Sequence, residues 1–105
     1  MHGDDRRGSV VLLHGMARSA RSMRPVARVL DAAGFQVSAV DYPTGPYNVS
    51  GLVERYVAPA IAKRPADQPI HVVTHSLGGI LIRAYLQNRD LPAGSRIVML
   101  TPPNH

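Results

Sequence analysis

The residue with the most chemical reach in this 105-residue sequence is Ser76, in the run Val72-Val73-Thr74-His75-Ser76-Leu77-Gly78-Gly79. Ile70, Val72 and Val73 lead in as a near-continuous apolar run, the pattern of a buried parallel strand. Leu77, Ile80, Leu81, Ala84 and Tyr85 lead out at the spacing of a helix face. A serine at the apex of such a strand–turn–helix has the setting of a nucleophile elbow, where its hydroxyl can attack a carbonyl carbon. The bend crowds its own backbone, so small neighbours are needed. Gly78 meets that need on the far side, while Thr74 stands on the near side where glycine is more usual. The helix starting at Leu77 offers unpaired N–H groups with positive partial charge beside the hydroxyl.

A second group bearing on that chemistry lies upstream, in Leu13-His14-Gly15-Met16. It closes the apolar run Ser9-Val10-Val11-Leu12-Leu13, which reads as a buried strand. Around these two motifs the chain supplies alternating elements. Ser22 is expected to cap a first helix with an apolar stripe of Met23, Val26, Ala27, Leu30 and Ala33, ended by Gly34. Phe35 to Val40 is a second strand. A second helix is expected over 51–63, with Leu52, Tyr56, Ala60 and Ile61 inward and with Pro59 kinking or ending it. The third helix runs from Leu77 to about Asn88, and Arg96 to Leu100 is a fourth strand.

That alternation predicts an α/β fold, a three-layer α/β/α arrangement on a mostly parallel sheet with four strands and three helices. Right-handed crossovers limit the topologies, and in the commonest arrangement the strand order is second, first, third, fourth. The carboxyl ends of the first and third strands then adjoin, at the switch point where ligands bind in open sheets. His14-Gly15-Met16 and Ser76 are thereby expected to converge.

Composition bounds the partners. Apolar residues make up 45% of the chain, enough for a packed core, and no cysteine is present for a disulfide or thiolate site. The net charge is +5, from 12 basic and 7 acidic residues. Arg18, Arg21, Arg24 and Arg28 read as the solvated face of the first helix, and no nucleic-acid motif accompanies them, so no nucleic-acid partner is expected. Residues 1–8 form a polar leader without a signal-peptide core, and no run suits a membrane span. A cytoplasmic location without membrane insertion is expected. No Gly-x-Gly-x-x-Gly follows the first strand, so a dinucleotide is disfavoured, and neither a cofactor nor a metal is expected.

The motifs Leu13-His14-Gly15-Met16 and Thr74-His75-Ser76-Leu77-Gly78-Gly79, with one helix–strand–helix between them, resemble the α/β-hydrolase superfamily, especially its lipase-like and esterase-like members. Asp41-Tyr42-Pro43 and Thr101-Pro102-Pro103-Asn104 are similar to segments of bacterial lipase-like hydrolases. The resemblance implies that Ser76 is the acyl-accepting nucleophile and that the N–H groups of Met16 and Leu77 form an oxyanion hole. It implies supporting roles for His14, Gly15, His75 and Gly78, with a small ester or lipid as substrate.

Downstream of Ser76 the sequence departs from that family. The superfamily places an acid and then a histidine after its serine. Here Asp90 is the only later acid and His105 the only later histidine. Asp90 falls past the third helix and His105 has no later acid to orient it. His75 is turned from the serine by the bend, His14 reads as a loop-fixing hydrogen bonder, His71 lies within the strand, and His2 is in the leader.

The expectation is one partial domain over 1–105 with the C-terminal half of the fold absent, and an edge on the fourth strand through which the chain self-associates. Activity of such a chain alone is doubtful on this reading. Two other classes remain open, a non-catalytic ligand-binding or interaction module and an acyltransferase using the same serine.

Overall fold

The computed structural model describes residues 8–15, 19–45 and 48–101. Four strands form one parallel sheet: β1 (Ser9–Leu13), β2 (Gln36–Val40), β3 (Ile70–His75) and β4 (Ile97–Thr101), in the order β2-β1-β3-β4. This is the order expected for the commonest arrangement of right-handed crossovers. The two central strands lie in register with Leu13 opposite Thr74. That pairing brings their carboxyl ends, and the residues after each, side by side. β1 is buried along its whole length, which is why it reads as an uninterrupted apolar run.

Helices cover the two faces unequally. On one face, Val11, Leu13 and Val72 pack with residues of α2 (Val49–Leu52), α3 (Ala58–Ala62) and α4 (Leu77–Tyr85). On the other, Val10, Leu12 and Val73 pack with Met23, the half-buried side of α1 (Arg24–Ala32), Phe35 and Val37. Beyond α1 on that face, Val98 and Leu100 of β4 are 50% and 48% exposed.

Local chemistry explains where the helices depart from expectation. Ser22 does not cap α1: it lies in a 3-10 turn over Ala20–Met23, where its hydroxyl donates to the Ser19 carbonyl, and α1 begins after Met23 with Pro25 in its first turn. At the other end Gly34, at φ 100°, donates to the Asp31 carbonyl while Phe35 N–H reaches back to Leu30. This paired closure ends α1 as Gly34 predicts, and it leaves Ala33 exposed rather than on the apolar stripe.

The second helix starts two residues before the expected Gly51, because Asn48 caps it through a 2.9 Å bond from the Gly51 N–H to its side chain. Pro59 neither ends nor breaks it. Between α2 and α3 a π-helical turn, Val53–Val57, lengthens the hydrogen-bond step ahead of the proline. That longer step rotates the inward face, so Leu52, Val53, Val57 and Ile61 are buried, while Tyr56 and Ala60 are only half-buried. α4 ends at Tyr85, short of Asn88, with Leu86 as its C-cap. Among the described residues no helix is long and apolar enough to cross a membrane.

Candidate active site

Ser76 sits between β3 and α4 with φ 52° and ψ −112°, the only non-glycine residue at positive φ among those described. An L-residue there costs on the order of 1–3 kcal/mol. Close contacts surround this bend. Gly78, two residues on, is pressed against the end of β1: a Cβ there would lie 2.5 Å from the Leu13 carbonyl oxygen and 2.8 Å from Leu13 Cβ. No side chain fits at that distance. Gly15 closes the other side, where a Cβ would meet His75 Nδ1 at 2.8 Å and Ser76 Cβ at 3.3 Å. Each of the two central strands thus contributes a glycine that lets the other's turn come close.

On the near side of the bend Thr74 is fully buried, and its hydroxyl has no hydrogen-bond partner among the described residues. A strand end tolerates threonine, so glycine is not required there. Leu77 opens α4, buried with Gly78 and Gly79. In this first turn the Gly79 N–H donates to the Ser76 carbonyl at 2.9 Å, while the N–H groups of Leu77 and Gly78 precede any acceptor within the helix and lie beside Ser76.

The turn after β1 is held differently. His14 is fully buried, and its Nδ1 and the Gly15 carbonyl oxygen are 2.9 Å apart. Its Nε2 accepts from the Tyr42 N–H at 3.2 Å. Together the two bonds assign the proton to Nδ1. Tyr42 also donates its hydroxyl to the His14 carbonyl at 2.6 Å and stacks on the imidazole, with centroids 3.9 Å apart. Burial raises the pKa of that hydroxyl. Asp41, just before Tyr42, accepts from the Ala20 N–H at 2.9 Å and so ties the far end of the β1–α1 connection to the end of β2.

Of the residues singled out in the sequence, the structure brings together Ser76, Leu77, Gly78, His75, His14 and Gly15. Met16 lies outside the described residues, as do His2 and His105. His14 is engaged at both ring nitrogens by backbone groups. His71 is away from the bend: its Nδ1 accepts from the Arg96 N–H at 3.1 Å and its ring meets Phe35 edge-on. Asp90 comes after α4, which returns antiparallel to the strands, so it falls at the opposite end of the sheet. Tyr42 and Asp41 carry roles that sequence reading missed. The signal for them is topological: adjacent parallel strands put the residues after β1 and β2 next to one another.

A model of the alpha/beta hydrolase family matches residues 10–104. Among curated proteins, Methylesterase 3 of Arabidopsis thaliana is 30% identical over 89 residues, which is 76% of this chain and 34% of the relative. The chain therefore spans about a third of that relative's length. No solved structure gives a significant match.

Proposed function

The chain belongs to the alpha/beta hydrolase family, and from that premise we propose that Ser76 is the nucleophile of carboxylic-ester hydrolysis. The observation that carries this reading is the strained φ of Ser76 at the N-terminus of α4, enforced by Gly78 and faced by Gly15. In the reaction, Ser76 Oγ bonds to the acyl carbon and gives up its proton to a base. The ester oxygen takes a proton and departs as an alcohol. Water then adds to the acyl-enzyme, releasing the acid and restoring the hydroxyl.

The negative charge that develops on the carbonyl oxygen would be met by the N–H of Leu77 and by that of Met16. Loss of one such donor typically costs about 3–4 kcal/mol of transition-state stabilisation. A methylesterase among the relatives is in keeping with an ester substrate. The base and its orienting acid are not supplied by the described residues near Ser76. If no base comes from outside the described residues, hydrolysis by this chain falls to the level left by binding and oxyanion stabilisation, roughly 10³–10⁴ over water.

The test is incubation with a fluorophosphonate, then peptide mass analysis. The expected result is a slow adduct on Ser76 that disappears in Ser76→Ala. Reversible binding of an ester with no adduct would identify a binding module instead, and transfer of the acyl group to an added alcohol would identify an acyltransferase. With nitrophenyl butyrate, weak turnover lost in Ser76→Ala is expected; ordinary enzyme rates would show that a base reaches Ser76 from outside the described residues.

A partner surface belongs to the same proposal. Val98 and Leu100 are half exposed on an edge strand, so the chain is proposed to self-associate there. Sedimentation of Val98→Lys, Leu100→Lys should shift toward monomer; an unchanged distribution would exclude this edge.

A further inference from the structure

Away from Ser76, a cavity of about 430 Å³ runs along β2. Ser38, Ala39 and Val40 all border it. Successive strand residues point to opposite faces, so contact with three in a row means the cavity tracks the strand's edge. That edge has no neighbouring strand, since β2 is the outermost member of the sheet among the described residues. Its sequence, Gln-Val-Ser-Ala-Val, contains none of the lysines, prolines or bulges that commonly block edge pairing.

The facing wall is the helical stretch through α3, and its side chains are graded in length. Pro59 and Ala60 are short, and the longer Arg55, Tyr56, Lys63 and Arg64 line the cavity on either side of them in sequence. The positions four apart stack as ridges, which is why two short residues between long ones leave a hollow. No aspartate or glutamate lines the cavity. Arg64 Nε is buried without a hydrogen-bond partner, and among the described residues no ion pair neutralises any of these cations.

We propose that this cavity docks an extended acidic segment of a partner protein, which adds to β2 as a fifth strand and sets its carboxylates against Arg55, Lys63 and Arg64. A strand edge presents alternating N–H and C=O groups, and a second extended backbone satisfies both. A compact anion would use the cations alone and leave the edge to water. Carboxylates opposite arginine form charge-assisted bonds, which give such a segment its charge selectivity.

The test uses the whole chain and a fluorescent heptapeptide alternating Glu and Thr, read by anisotropy at low salt, beside the same peptide with Gln for Glu. The Glu peptide is expected to bind at least about tenfold more tightly, and Arg55→Gln, Arg64→Gln should weaken it by a further factor of about ten. Lys63→Gln provides a second, exposed variant should the double change disturb folding, which circular dichroism reports. Hydrogen exchange of the Gln36–Val40 amides should slow on binding. Equal affinity for the two peptides, or indifference to the charge changes, would overturn the proposal. So would full competition by inorganic phosphate with no slowing at β2, which would mean a small-anion site.

Discussion

The two turns that meet at Ser76 are held by different forces, although they extend from neighbouring strands and approach within contact of each other. After β3, backbone is forced into place by exclusion: Gly78 lies so near Leu13 that no side chain fits, and Ser76 takes a positive φ as the consequence. After β1, backbone is held by attraction, through the hydrogen bonds and stacking between His14 and Tyr42. Exclusion is nearly all-or-none, because repulsion rises steeply within a few tenths of an ångström. Attraction is graded, because each bond removed leaves the others. The two halves of the site should therefore fail in different ways.

The largest effect is expected on the excluded side. In Gly78→Ala the new methyl would meet the Leu13 carbonyl oxygen at 2.5 Å, and neither partner is the flexible end of a side chain. Strand β1 or helix α4 must shift, at a cost of about 3 kcal/mol. Thermal or denaturant unfolding reads this directly, and a loss under about 1 kcal/mol would show that the packing around Leu13 is looser than its geometry.

On the attractive side, Tyr42→Phe keeps the stacked ring but leaves the buried His14 carbonyl without its 2.6 Å donor. The expected loss is about 1–2 kcal/mol, graded rather than disruptive. The same hydroxyl gives a pH signature. Burial holds the folded-state pKa of Tyr42 above its ordinary value of about 10. Above that pH the unfolded chain releases this proton while the folded chain keeps it. The stability it contributes is fully present below about pH 10 and falls as pH rises toward the folded-state pKa. Wild type should therefore lose stability more steeply than Tyr42→Phe between pH 10 and higher values. Parallel curves would mean that the hydroxyl titrates alike in both states. Gly15→Ala is expected to cost less than Gly78→Ala, since its nearest obstacle, His75 Nδ1 at 2.8 Å, lies on a ring that can turn.

This division between exclusion and attraction also decides how much of the site is legible in the sequence. The strand order and the meeting of the Gly15 and Ser76 turns come from apolar runs and crossover handedness, both of which are local or generic. Gly78 is legible because tight bends demand small residues whatever lies opposite. The pairing of His14 with Tyr42 is not, since the two are 28 residues apart and nothing local links them. The phase of the second helix is hidden for a related reason. Pro59 signals a disturbance but not its form, and a π turn preserves the helix while moving Val53 and Val57 inward in place of Tyr56 and Ala60. Asn48, by contrast, is a readable cap, masked by its closeness to the breakers Pro43, Gly45 and Pro46.

The smallest expected effect has the opposite sign and tests whether Ser76 is strained as the comparison requires. Ser76→Gly allows the same φ without steric cost, recovering on the order of 1–3 kcal/mol of strain. Glycine also gives the unfolded chain more freedom, which costs roughly 0.5–1 kcal/mol. The balance is a net stabilisation of about 1 kcal/mol, accompanied by loss of any adduct at this position. Ser76→Ala removes the hydroxyl equally well but keeps the Cβ, so it should lose the adduct without the gain. A chain made more stable by glycine and not by alanine locates the strain in the backbone at φ 52°. Equal stability of the two variants would mean that the bend is a relaxed conformation, and the exclusion at Gly78 would then be shaping the helix approach rather than loading Ser76.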